Sequence, residues 1–242
     1  MATPRFATVE AARDLGSDTR VLELRIHDGP LGFVGGQYVI VDSGLVAPTG
    51  KAIKRAYSIL SDDGAQDRVT IAVKRLPGGA GSSYMYGLAT DAEIKFSGPW
   101  GKLAPAPEVS GTTFVLATDT GITAALGLVR GAAMAPLLAG TELVWLRPYA
   151  DYFLPDAFVT GCLPPALGRF ATAALPPIAH PERVPHTRAL LATRLSKGVA
   201  QVFIAGDGAV NYALLDDLVA AGVPATRDSV ESFFNMPKKS VA

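Results

Sequence analysis

K-R-A-Y-S-I-L-S, Lys54–Ser61, places a cation, a flat ring and a small hydroxyl close together in a strand-like run. Side chains alternate along a strand, so Arg55 and Tyr57 share one face and Ser58 takes the other, unless the strand bends or ends there. Arginine's planar fork matches phosphate oxygens, and a tyrosine face suits a planar heterocycle. Two readings fit these residues. One is an ordinary strand with an exposed arginine and a half-buried tyrosine; the other is a grip on a nucleotide-linked aromatic cofactor lying across the strand.

Runs of the same kind lie on both sides: R-V-L-E-L-R-I (20–26), G-Q-Y-V-I-V-D (36–42), R-V-T-I-A-V-K-R (68–75) and A-E-I-K-F-S-G-P (92–99). Short alternating runs separated by turn residues are the pattern of an antiparallel barrel or sandwich. Between the last two, G-G-A-G-S-S (Gly78–Ser83) leads into a short helical segment, S-S-Y-M-Y-G-L (82–88). Backbone N–H groups and the positive dipole end at such a start hold phosphate, and Ser82 is placed to cap the first turn. A plain hairpin or linker is the competing use of that glycine run. The Pro-rich L-A-P-A-P-E, Leu103–Glu108, then marks a boundary, giving domains over 1–104 and 105–242.

Beyond it strands alternate with helices: T-T-F-V-L-A-T then I-T-A-A-L-G-L-V-R, E-L-V-W-L-R then a Pro- and Ala-rich middle at 150–185 without clear elements, and Q-V-F-I-A-G then N-Y-A-L-L-D-D-L-V-A-A-G. That order implies a parallel sheet binding ligands at the carboxyl ends of its strands. A-T-D-T-G-I-T (Ala117–Thr123) and A-G-D-G (Ala205–Gly208) occupy two such strand-to-helix turns. Each fits a dinucleotide pyrophosphate or a simple tight connection with a capping Asp or Thr.

Composition narrows the chemistry. The 242 residues are 49% apolar and 18% charged with 25 Gly and 18 Pro, a turn-rich globular chain long enough for two cores. Its 22 basic and 22 acidic residues cancel, which argues against general nucleic-acid affinity. The N-terminal M-A-T-P-R-F-A-T-V-E lacks a signal-peptide core, and no stretch is long and apolar enough to span a membrane, so the expectation is a cytoplasmic protein. A single cysteine, Cys162, and three scattered histidines leave no metal or iron–sulfur ligand set, so redox chemistry would need an organic cofactor or a partner.

In order, G-Q-Y-V, R-A-Y-S, G-G-A-G-S-S, G-P-W-G, A-T-D-T-G-I, A-G-D-G and E-S-F-F span about Gly36 to Phe234 and resemble the ferredoxin–NAD(P) reductase family. The R-x-Y-S block followed at the expected distance by a G-x-x-S turn is the most specific part. The resemblance implies an N-terminal antiparallel six-stranded flavin-binding barrel joined to a C-terminal parallel α/β nicotinamide-binding domain. It implies that Arg55 holds the flavin pyrophosphate, Tyr57 packs on the isoalloxazine ring and Ser58 lies near the flavin N5. Val73, Lys74, Gly81, Ser82 and Ser83 would complete the flavin cradle, while Thr118, Asp119, Gly121, Ile122, Gly206 and Asp207 would receive the nicotinamide cofactor. Glu231 matches a family carboxylate near the nicotinamide, making Ser58 and Glu231 the expected catalytic pair. Phe233 or Phe234 would cover the other flavin face, with C-terminal core packing as the alternative.

The activity implied is that of a flavoprotein oxidoreductase taking hydride from NAD(P)H onto FAD, preferred over FMN, and passing single electrons to a ferredoxin or flavodoxin. Some of Lys51, Lys54, Lys74, Arg75, Lys95 and Lys102 would form a basic face that docks an acidic carrier, with scattered solvated lysines as the plainer reading. Alternatives are a free-flavin or ferric-siderophore reductase, and a flavin-binding electron-transfer subunit with a weakened nicotinamide site. The last is suggested by departures from the family: Asp119 for a glycine, Ala124 for a proline and Ala205 for a cysteine. Asp119 would either repel a phosphate or turn away to cap the next helix. Arg147 is placed for a 2′-phosphate, with a surface arginine as the plainer reading.

Overall fold

A computed structural model describes residues 3–106, 111–223 and 229–236. Ten of the chain's first hundred residues, Arg5–Asp14, form β1, followed by β2 (Thr19–Ile26), β3 (Tyr38–Val46), β4 (Ala52–Ser58), β5 (Arg68–Lys74) and β6 (Glu93–Trp100). They make one antiparallel six-stranded sheet in the order β4-β3-β6-β1-β2-β5. The sheet curls until its two edge strands, β4 and β5, touch. Ala7, Val9, Leu22, Leu24, Ile71, Val73 and Phe96 fill its interior, one side chain in two along each strand. β1 is the strand absent from the alternating runs noted above. Its pairing with β2 shifts register between Val9 and Ala11, which breaks its period-2 pattern.

The helix α1 spans Ala80–Tyr86, starting two residues earlier than the sequence suggested, with Gly79 at its N-cap position and no side-chain cap. Ser82 is therefore not the cap. Its Oγ donates to Gly79 O at 3.0 Å and accepts from Leu76 N at 3.0 Å, pinning the glycine turn to the end of β5.

The second half contains β7 (Thr113–Thr118), α2 (Ile122–Arg130), β8 (Thr141–Arg147), α3 (Asp156–Cys162), β9 (Arg169–Ala174), α4 (Arg183–Leu195), β10 (Gln201–Asp207), α5 (Gly208–Ala220) and β11 (Val230–Phe234). The strands form a parallel sheet ordered β11-β10-β7-β8-β9. Both faces are covered, as parallel sheets require. Val115 and Ala117 pack with α2 and Trp145 on one side, and Phe114 and Leu116 with Leu191 and Leu214 on the other. The Pro- and Ala-rich middle thus supplies α3, β9 and the start of α4. Of the linker Leu103–Glu108, residues 107 and 108 lie outside the described residues.

One contact and one feature of the strand order fix the site. At Gly127 a Cβ would stand 2.1 Å from Ile59 O, so only glycine lets α2 press against the segment leaving β4. The chain order reverses between β7 and β10, and the crevice outside their carboxyl ends is where an open α/β sheet binds ligands. Among the described residues no single helix is long and apolar enough to cross a membrane.

Candidate functional site

β4 and β5 meet the switch point of the parallel sheet across a cavity of about 560 Å³. Its barrel wall is Arg55, Ala56, Tyr57 and Ser58 from β4 with Ala72 and Lys74 from β5. The opposite wall is Thr120, Thr123, Tyr152, Phe153, Phe233 and Phe234. Arg55, Tyr57 and Ser58 all border it because β4 ends at Ser58, the exception to strand alternation raised above. Ser58 is buried, Tyr57 half-buried and Arg55 exposed. Burial pushes the Tyr57 hydroxyl up to about 12, so it stays a protonated, uncharged ring at neutral pH.

Arg55 and the α1 turn are built together. A Cβ on Gly81 would lie 2.9 Å from the Arg55 Cγ and 3.1 Å from Ile53 Cγ2, so glycine here admits the arginine stem. Arg55 Nη1 donates to Lys54 O at 2.7 Å. The first amides of α1 have no partners within the helix. The lining combines aromatic side chains, Tyr57 with Phe233 and Phe234, with a cation at Arg55 and the turn into α1, a donor set whose chemistry suits a flat ring that carries phosphates. Ala72 and Lys74 face the cavity whereas Val73 points into the barrel core, leaving Val73 only backbone atoms to offer. Gly79 and Ser82 border the cavity; Gly81 and Ser83 do not.

Lys74 already has partners: its Nζ lies 2.6 Å from Asp18 Oδ2 and 4.6 Å from the Tyr152 ring centre. Of the other cations expected to form one basic face, Lys54 and Lys95 both neighbour Asp42, and Arg75 lies elsewhere. Lys54 Nζ is 3.4 Å from Asp42, Lys95 borders a separate hollow with Asp42 and Glu93, and Arg75 lies over the Tyr86 ring.

The residues expected to receive a nicotinamide cofactor are mostly buried beneath the cavity. Thr118 Oγ1 accepts from Asp207 N at 2.8 Å, tying the ends of β7 and β10 together. A Cβ on Gly121 would stand 2.2 Å from Ala205 O, which shows how closely the two turns approach. Gly206 has φ +131°, Ile122 is fully buried, and Asp207 caps α5 by accepting from Ala209 N. Asp119 does not cap α2, which overturns the capping reading, and its side chain is buried. Its carboxylate is bound by Arg183 Nη2. Burial pushes that carboxyl above its ordinary range, Arg183 pulls it down, and Asp207 pushes it up again. Arg147 is also corrected. It is buried, with Nη1 2.5 Å and Nη2 2.9 Å from the two Asp156 oxygens, and is not available to a 2′-phosphate.

Ser58 and Glu231 do not share a cavity. Glu231 borders a smaller hollow with Tyr212, Leu215 and Met236. Its Oε2 would be 3.1 Å from a Cβ on Gly101, beside the Tyr38 ring, which in turn meets Phe233 edge-on at 6.4 Å. Burial pushes the Glu231 carboxyl up to about 7. With the folded value raised from 4.5, its contribution to stability is complete below pH 4.5 and is lost as pH rises through 7. Glu231→Gln should therefore flatten the decline in melting temperature between about pH 4.5 and 7 that linkage predicts for the parent. Thermal melts across that range check it; an unchanged pH slope would exclude Glu231 as its source.

Thr120, Thr123, Tyr152, Phe153, Ile178 and Asn235 border the cavity without having been singled out from the sequence. Arg183 was missed too; its carboxylate partners Asp207 and Asp119 lie 24 and 64 positions away.

Residues 7–104 match the oxidoreductase FAD-binding domain family. The chain is 35% identical over 136 residues to ferredoxin–NADP reductase B of Sorangium cellulosum, covering 55% of this chain and 54% of that protein. It thus spans about half the length of this curated relative. The ferredoxin reductase of carbazole 1,9a-dioxygenase superposes with TM-score 0.74 at 21% identity, over 96% of this chain and 68% of that one. A siderophore-interacting protein from Acinetobacter baumannii does so with TM-score 0.70 at 13% identity, over 96% and 90%. Both structures establish a shared two-domain fold.

Proposed function

The chain belongs to the ferredoxin–NAD(P) reductase family of FAD-binding oxidoreductases, and on that premise we propose that it moves electrons from NAD(P)H through FAD to a separate one-electron carrier of the ferredoxin type. The observation that carries this reading is the single cavity that Arg55, Tyr57 and Ser58 share with Phe233, Phe234 and the α2 turn. Residues 1–104 hold the flavin, and residues 105–242 present the nicotinamide. FAD, when bound, supplies the exchange between a hydride and single electrons.

Each residue's part follows from its place. Arg55 pairs with diphosphate oxygens, supported by the free amides at the start of α1 and kept close by Gly81. Tyr57, uncharged and anchored in the barrel wall, stacks on one ring face, and Phe233 or Phe234 shields the other from water. Ser58 offers a hydroxyl at the strand end, within the same wall. Thr120 and Thr123 line the nicotinamide side. Glu231 acts from beside Tyr38 and Phe233, at the edge of the reacting centre and outside the cavity.

Anaerobic titration of the FAD-loaded protein with NADH and with NADPH, followed by ferredoxin, free flavin and a ferric chelate, tests the whole sequence of steps. Bleaching of the flavin within seconds and its rapid recovery with ferredoxin are expected. No bleaching with either nucleotide would leave a flavin-binding subunit and sink the donor assignment. A second acceptor class, free flavin or a ferric chelate, is favoured by one observation: Lys54 and Lys74 have carboxylate neighbours, so a broad basic docking face is weakened. A small acceptor needs no such face, and recovery faster with it than with ferredoxin would select that class.

A further inference from the structure

Three charged side chains meet under the switch point. Arg183, at the start of α4, donates from Nη2 to Asp119 Oδ2, from Nε to Asp207 Oδ2 at 2.7 Å, and from Nη1 to Pro176 O at 2.6 Å. Their side chains are 3%, 3% and 0% exposed for Arg183, Asp119 and Asp207. Two carboxylates face one guanidinium, so the ionised cluster keeps one uncompensated negative charge in a poorly solvated place. Asp119 holds its position against a backbone preference, because φ is +52° there, a region glycine enters freely and aspartate seldom does. Trp145 Nε1 donates to Asp119 O at 2.8 Å and fixes the residue from below.

This charge sits at a telling place. Asp119 immediately precedes Thr120, which lines the cavity, and opens the turn that leads into α2. A strand-to-helix turn of this kind favours a diphosphate through its amides and dipole. A buried surplus carboxylate opposes that preference. Resting on the donor assignment above, we propose that the Asp119–Arg183–Asp207 cluster is a specificity element: its excess negative charge loosens the hold on the diphosphate of a pyridine dinucleotide, so that the nicotinamide and its ribose carry most of the binding.

Asp119→Asn keeps the side-chain shape and leaves Arg183 neutralised by Asp207. Binding of NAD⁺, NADP⁺ and nicotinamide riboside, which has no phosphate, is measured by calorimetry on the FAD-loaded parent and variant. Both dinucleotides should bind roughly tenfold more tightly to the variant, the gain that about 1.4 kcal/mol of relieved repulsion produces. The riboside should bind equally to both proteins. An unchanged dinucleotide affinity, or a riboside gain equal to the dinucleotide gain, overturns the inference while leaving the donor assignment standing. Failure of parent and variant alike to bind either dinucleotide overturns both. If the asparagine variant does not fold, Asp119→Gly makes the same charge change with a residue suited to φ +52°, and the same outcomes apply.

Discussion

Replacing Arg55 and Tyr57 together by alanine should yield a colourless protein that stays colourless after incubation with FAD. A charge-assisted contact between arginine and phosphate contributes about 1.5–3 kcal/mol, and stacking of a flat ring on an aromatic side chain about 1–3 kcal/mol. Loss of both weakens binding by roughly two to four orders of magnitude. The barrel should survive, because Arg55 is exposed and Tyr57 packs only at the margin of the core formed by Leu22, Leu24 and Ile71. Circular dichroism separates flavin loss from unfolding. The conservative partners sharpen the result: Tyr57→Phe keeps the ring and should retain flavin, while Arg55→Lys keeps the charge without the two-pronged geometry and should bind more weakly. Stoichiometric flavin in the double alanine variant would remove these two residues from the cradle and leave the cavity needing another ligand.

The contrast between what the sequence disclosed and what it hid follows from the range of the forces involved. Strand alternation and turn residues are local, so runs such as R-V-L-E-L-R-I and R-V-T-I-A-V-K-R were readable, and so was the change to strand-then-helix order after Leu103. β1 was hidden because its bulge between Val9 and Ala11 interrupts the local signal. Arg55, Tyr57 and Ser58 were legible as a group because one strand end carries them. Tyr152 and Phe153 were not, since their place in the cavity depends on how the Pro- and Ala-rich stretch after β8 folds back over the sheet. Asp119 shows the limit most clearly. Its neighbours in sequence suggest a repelling charge or a cap, and only the fold reveals that Arg183 and Asp207 have been brought to it from 64 and 88 positions away.

Arg183 should accordingly prove to be a position where one substitution costs a large part of the protein's stability. Arg183→Met keeps much of the side-chain bulk but leaves Asp119 and Asp207 adjacent and almost wholly buried with no cation between them. Removing one partner of a buried charge cluster costs about 3–5 kcal/mol, against total stabilities of about 5–15 kcal/mol. For a chain of this size the melting temperature should fall by roughly 6–20 °C. The damage should extend to the cavity. Asp207 Oδ1 also accepts from Asn235 Nδ2 at 2.9 Å, and Asn235 directly follows Phe233 and Phe234. A triple variant, Arg183→Met with Asp119→Asn and Asp207→Asn, separates charge from packing, because removing every charge in a buried cluster is often near neutral whereas removing one is not. Recovery of most of the lost melting temperature in the triple variant is expected. If the triple variant melts as low as Arg183→Met alone, shape and not charge holds the strand ends together, and the excess charge assigned to this cluster would have no energetic consequence.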